Sequence, residues 1–430
     1  MVTAVTPVST VRWGFAIGGH CRVHHGWRGM GCRLSRGKSS FVLGLMSEGG
    51  RAGGKAVFVR LMGSFRDSVT KAQKLQMEHL DDGVEIWGSP TASSQPEEFP
   101  EHLVVMVNGI VGSAEDWKYA AEQFVKKLPG KVTVYRSQSN YSILTFDGVD
   151  MMGERLAKEV LSVVKRRPGV QRISFVAHSL GGLIARYAVG RLYEPGSPEE
   201  SSSGEGSSSA EDEYPGGRVA GLEPANFITF ATPHLGSRGH KQLPFLGGLP
   251  FLERGASQAA HLIVGRTGKH LFLTDDDGGK PPLLLRMVRD GEDIKFRSAL
   301  TSFKRCVAYA NANFDHMVGW RTSSIRRQHE LPDPHLLASD ERYPHIVFVG
   351  RGDVTAGDQG EPSPAGTFQR VDLEEEMIRG LSQVPWERID VSFKESTQRY
   401  IAHTTIQVKS YWMNSDGADV VSHMIDNFLV

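Results

Sequence analysis

The stretch ISFVAHSLGGLIARYA, Ile173 to Ala188, decides how this chain is read. Ile173 to Ala177 is a short apolar run without polar alternation, the mark of a strand buried on both faces. Leu180 to Leu192 then reads as a helix, so strand must pass into helix through a very tight turn. Such a turn strains the residue at its apex, Ser179. It also demands small residues two places before and two places after, which Ala177 and Gly181 supply. Gly182 lets the helix lie close to the sheet, and His178 sits beside the serine as a supporting residue. The first helical N–H, from Leu180, points to where an oxyanion would form. A bare Ser-x-Gly would carry little weight. With strand, helix and small flanks in place, Ser179 reads as a nucleophile rather than as a helix cap.

The pattern around this turn repeats along the chain. Leu103 to Val107 and, more weakly, Lys131 to Tyr135 read as buried strands, with a helix between them from Ser113 to Lys127, capped by Ser113 and with Asp116 in its first turn. Val149, Met152, Leu156, Val160 and Val163 fall at helical spacing, on a helix ending near Arg167-Pro168-Gly169. Phe227 to Ala231 and Cys306 to Ala310 are further strands, and Ile389 to Phe393 is strand-like. Alternating strands and helices predict an α/β fold: a mostly parallel central sheet with helices on both faces.

Three more loops at strand ends carry candidate chemistry. In VNGIVGS, Asn108 and Gly109 precede Ile110, whose backbone N–H is the second expected oxyanion donor. ATPHLGS brings His234 near the sheet edge. The expected chain order of serine, acid, histidine nevertheless argues against it as base, and a rim or packing role is expected. Asp315, in NFDHMV after the Cys306 strand, is the expected acid; Asp275 to Asp277 read as solvated charge. His316 adjoins Asp315 too closely to act independently. Of the later histidines, His403 in YIAHTTIQVK is favoured as base over His423, which lies inside a C-terminal helix, Ala418 to Phe428.

These motifs, with LVVMVNGIVGSAEDW, DGVDMMGERLAKEV, ANANFDHMVGWRTSSIR and the stretch from His403 to Val430, resemble the lipase-like "putative serine esterases" of the α/β-hydrolase superfamily, in particular a plant group of hydrolase-like proteins. The resemblance runs from about Glu101 onward. It implies an α/β-hydrolase fold and hydrolysis of an acyl ester, in a lipid, through Ser179, Asp315 and His403. Ala177 and Asn108 depart from the Gly and His usual at those places, and neither change removes a catalytic group. No metal or organic cofactor is expected.

The 430 residues hold 49 Lys plus Arg against 49 Asp plus Glu, so the basic field needed for nucleic-acid binding is missing. No uncharged apolar run reaches the roughly 18 residues that span a bilayer. Three cysteines, Cys21, Cys32 and Cys306, are too few and scattered for a disulfide framework or a zinc site, which fits a soluble protein of a reducing compartment. Residues 1–47 carry six Lys or Arg and no acid. They read either as a transit peptide to the chloroplast or another organelle, or as an unstructured leader to a cytoplasmic protein starting at Met46. Residues 48–100 read as a polar extension with a weakly helical piece near Phe65 to Leu80, and residues 101–430 as the hydrolase domain. Within that domain, 196–217 reads as a disordered Ser/Gly/acid insert, 237–300 as a lid-like insertion, and 331–382 as a long insert. The apolar stretch Leu243 to Leu252 suggests contact with a lipid or membrane surface. Two other readings use the same scaffold: a receptor-like binding protein with incidental turnover, and an acyltransferase using the same triad. An activity-based probe separates the first from a hydrolase, and product analysis separates the second.

Overall fold

The computed structural model describes the backbone of residues 77–79, 85–87, 100–196, 217–237, 265–351 and 370–430. Among the described residues nine strands form one sheet: β1 (Met77–His79), β2 (Glu85–Trp87), β3 (His102–Val107), β4 (Val132–Arg136), β5 (Arg172–His178), β6 (Glu223–Phe230), β7 (Arg305–Asn311), β8 (Ile346–Arg351) and β9 (Trp386–Val391). Their spatial order is β1-β2-β4-β3-β5-β6-β7-β9-β8. The strands from β4 to β9 in that order pair in parallel. At one edge β2 pairs antiparallel with β4 and β1 antiparallel with β2, and at the other β8 pairs antiparallel with β9.

Successive residues of a strand face opposite sides of its sheet, so a covered sheet needs two cores. Leu103, Val105 and Val107 of β3 enter one core and Val104 and Met106 the other, none more than 1% exposed. Helices α2 (Val149–Arg166), α3 (Leu180–Leu192) and α4 (Arg370–Leu381) close the first core. Helices α1 (Lys118–Lys127) and α5 (Ala418–Asp426) close the second. This two-sided burial is why the central strands read as unbroken apolar runs. Along α2, Val149, Met152, Leu156, Val160 and Val163 form the buried stripe. Gly153 on the same helix admits Tyr187 of α3, whose Cδ1 would lie 2.3 Å from a β-carbon there. The architecture is that of an α/β-hydrolase, with the strand ends that carry the expected motifs all at one edge of the sheet.

Several expectations need correction. The polar extension 48–100 contributes β1 and β2, and Met77–His79 is strand where Phe65 to Leu80 read as weakly helical. Three-residue edge strands are too short to show a period. The insert 331–382 contains β8 and all of α4, which complete one sheet edge and one core. Of the lid-like insertion, residues 265–300 are packed structure: Leu283, Leu284, Leu285, Ala299 and Leu300 are buried in the first core. Ser113 does occupy a capping position, but before a 3-10 turn, Ala114–Trp117, and without a side-chain cap bond. At the stem of the Ser/Gly/acid insert, Tyr193–Glu194 pairs with Arg218–Val219. The leader 1–47, the body of that insert and the apolar stretch 243–252 lie outside the described residues. Among the described residues no helix is long and apolar enough to cross a membrane.

Candidate active site

Ser179 caps α3 with φ 53° and ψ −128°, a backbone region that side-chain-bearing residues rarely occupy. The bend is held from both sides: Ser179 N donates to Phe230 O at 2.8 Å, and Gly182 N donates to Ser179 O at 3.1 Å. The small residues after it are sterically required. A β-carbon on Gly181 would lie 2.5 Å from Val107 O, and one on Gly182 would lie 2.1 Å from Thr232 Oγ1. Ala177, fully buried, sits in β5 between Val107 of β3 and Thr229 of β6. Strain recurs along this sheet edge: Val111, Ala231 and Phe314, just past the ends of β3, β6 and β7, also have positive φ. Such residues each cost about 1–3 kcal/mol and persist where the surroundings over-determine them, as at functional sites.

The structure brings Ser179, His403 and Asp315 together. His403 Nε2 lies 3.0 Å from Ser179 Oγ, and His403 Nδ1 lies 3.0 Å from Asp315 Oδ2. The His403 and Asp315 side chains are only 8% and 2% exposed. Asp315 accepts three further bonds, from Met317 N and Val318 N at Oδ1 and from Asn311 Nδ2 at Oδ2. Burial alone would raise its pKa. The His403 charge and hydrogen bond, Val318 N–H and the Asn311 amide outweigh that and hold it below the ordinary carboxylate value. His403 stands on a short helical turn, Ala402–Thr405, seated against α5 by Gly417, where a β-carbon would come within 1.8 Å of Thr405 O. Lys409, just past that turn, bridges to Asp116 at 3.1 Å and so ties the His403 segment to the turn after β3.

That turn carries the other expected donors. Asn108 Nδ2 donates to Gly109 O at 3.1 Å and to Asn140 O at 2.9 Å, and Gly112 N donates to Gly109 O at 3.1 Å. The Gly109 carbonyl and the Ile110 N–H belong to one planar peptide and point opposite ways. Fixing the carbonyl therefore fixes the direction of the Ile110 N–H. Gly109 suits this place because a β-carbon there would lie only 3.0 Å from Ser179 Cβ, a tighter contact than side chains normally make. Val111 N–H donates to Thr145 Oγ1 and Ser142 N–H to Gly112 O, which clamp the loop from outside. Ile110 and Leu180 thus flank Ser179 with backbone N–H groups that have no acceptor among the described residues.

The competing residues lie elsewhere. His234 is fully buried with Nε2 3.0 Å from Thr229 Oγ1, and it packs on Trp386. His423 sits on α5 with Nδ1 2.8 Å from the Tyr309 hydroxyl. His316 is exposed. Asp275 does not match its reading as solvated charge: it is buried and accepts Leu283 N–H at 2.7 Å, because a backbone turn starting there needs an acceptor. Sequence reasoning missed Asn311, four residues before the acid on the same strand exit, and the second role of His178, whose Nε2 lies 2.7 Å from His403 O. An Asn four residues before Asp at a strand exit was the available signal for the first. The second is a contact across 225 positions and left none.

Among the described residues, Asp150, His270 and Asp277 bring ligand atoms within 4.8 Å of one another. Their chemistry does not suit a cation. His270 Nδ1 accepts Val149 N–H at 3.0 Å, so the neutral ring carries its proton on Nε2 and has no lone pair there. Arg266 already pairs with both carboxylates.

A family model described as "Putative serine esterase (DUF676)" matches residues 97–325, a stretch that holds Ser179 and Asp315 and ends before His403. The "putative lipase ROG1" of Saccharomyces cerevisiae is 29% identical over 247 residues, 56% of this chain and 31% of that protein. A "putative lipase" of Schizosaccharomyces pombe is 26% identical over 247 residues, 56% of this chain and 28% of that protein. The chain therefore spans about a third of the length of these curated relatives. Among solved structures, an α/β-hydrolase superfamily protein from Enterococcus faecalis aligns over 80% of this chain and 100% of its own, with TM-score 0.36 and 12% identity.

Proposed function

The chain belongs to the putative serine esterase family, and on that premise we propose that it hydrolyses carboxylic esters of acyl lipids, with Ser179 as nucleophile, His403 as base and Asp315 as the acid that orients it. One observation carries the reading: the continuous line from Ser179 Oγ through His403 to Asp315, each link 3.0 Å, at a strained strand-to-helix turn.

His403 Nε2 takes the Ser179 proton as Oγ attacks the ester carbonyl carbon. The negative charge moves to the carbonyl oxygen, where the Ile110 and Leu180 N–H groups receive it. Collapse expels the alcohol, which leaves with the proton from His403. A water then gives its proton to His403 and attacks the acyl-enzyme, and the acid departs as Ser179 recovers its hydrogen. Asp315, held ionised, keeps the His403 proton on Nδ1 and offsets the imidazolium charge. The relatives' names as lipases favour a lipid acyl chain over a small ester.

Ser179→Ala and His403→Ala should each lower ester hydrolysis by a factor on the order of 10⁴ to 10⁶, because members of a triad act as a unit. Near-normal hydrolysis by either folded variant would overturn the assignment.

A further inference from the structure

His178 joins the nucleophile turn to the base. Its ring is buried, 4% exposed, and lies 4.7 Å from the His403 ring at 51°. Its Nε2 is 2.7 Å from the backbone oxygen of His403. A carbonyl oxygen can only accept, so Nε2 carries the hydrogen and donates it. The carbonyls on either side are served by backbone donors: Ile406 N–H reaches Ala402 O, Lys409 N–H reaches Thr404 O, and Val408 N–H reaches Thr405 O. The His403 carbonyl has no such donor among the described residues, and the His178 ring takes that place.

We infer that His178 is a positioning residue: its Nε2–H holds the backbone of the base to the turn that carries the nucleophile. This rests on Ser179 and His403 reacting as proposed above. The chain thereby fixes the spacing between base and nucleophile through two consecutive residues, His178 to the backbone of His403 and Ser179 to its ring. The second bond breaks and reforms at every proton transfer, whereas the first is present throughout. His178 also suits this place by staying neutral. Burial, and then the His403 charge, hold it well below the ordinary histidine value, so no cation stands against the His403 ring when that ring accepts a proton.

The test compares three full-length variants on a soluble p-nitrophenyl acyl ester. His178→Phe keeps a ring against His403 but has no donor. His178→Gln places an amide N–H the same number of bonds from the backbone as Nε2. Ser179→Ala is the control. Misplacing a reacting group by about 1 Å can cost about 100-fold, so the Phe variant should lose roughly 10- to 100-fold in kcat with KM within about two-fold. The Gln variant should recover to within about three-fold of the unsubstituted protein. If His178→Phe does not fold, His178→Leu takes its place in the same comparison. A donorless variant with full kcat would overturn the inference. So would equal losses in folded Phe and Gln variants, since packing alone would then explain both. Activity persisting in Ser179→Ala would instead mark failure of the nucleophile assignment.

Discussion

Acid should destabilise this protein through His102, far from the site. The side chain is fully buried at the start of β3, with Nε2 2.8 Å from Ser174 Oγ. Ser174 Oγ already accepts Asn226 N–H at 3.0 Å and an Asn226 Nδ2 hydrogen at 2.9 Å, so its own hydrogen points to the Nε2 lone pair. A proton on Nε2 would have no acceptor. Burial, and then the Arg172 charge, lower the His102 pKa from 6.5 to about 4. The unfolded chain therefore binds more protons than the folded one between those two values, and stability rises with pH across that window. The contribution is full above about pH 6.5 and lost as pH falls towards 4. One pKa unit is about 1.4 kcal/mol, so the whole shift is worth about 3 kcal/mol, of which about 2 kcal/mol is gone by pH 5.

The assay is urea unfolding at pH 7 and pH 5, for the unsubstituted protein and for His102→Gln. Glutamine can still accept the Ser174 hydroxyl but does not titrate. His178 and His234 are also held well below their ordinary values, but both remain in the variant, so the difference isolates His102. The unsubstituted protein should lose about 2 kcal/mol more than His102→Gln between the two pH values. Equal losses would refute the reasoning.

Asn108→Ala frees the Gly109–Ile110 peptide on one side while the Gly112 N–H bond remains, so kcat for ester hydrolysis should fall about ten-fold with KM little changed, a part of the 100- to 1,000-fold attached to a whole oxyanion donor. His423→Leu should leave kcat within about two-fold and lower unfolding free energy by roughly 1–3 kcal/mol, because it strands the buried Tyr309 hydroxyl. Chemical denaturation checks the second, and steady-state kinetics check both.

The central strands and the turn at Ser179 were legible because their physics is local. Two-sided burial writes unbroken apolar runs such as Leu103 to Val107, and a strained turn demands Ala177, Gly181 and Gly182 at fixed offsets. Asp315 and His403 could be chosen by chain order and by their places after strands. The elements that escaped lacked such marks. Met77–His79 and Glu85–Trp87 are three residues each, and Ile346–Arg351 is an edge strand inside a stretch that otherwise reads as insertion. Residues 283–300 reveal themselves as core only through partners distant in the chain, with Phe296 against Gly190 of α3 and Val288 against Gly380 of α4. The His178 contact to His403 depends on a fold that brings two distant segments to one sheet edge, and no local spacing records it.

The central claim is that Ser179 is an activated nucleophile, and a covalent probe tests it most directly. A fluorophosphonate incubated with the full-length protein should form one phosphonyl adduct, located by peptide mass spectrometry on Ser179. The adduct should be absent from Ser179→Ala and strongly slowed in His403→Ala. An unlabelled protein, or an adduct on any other residue that persists in Ser179→Ala, would contradict the account.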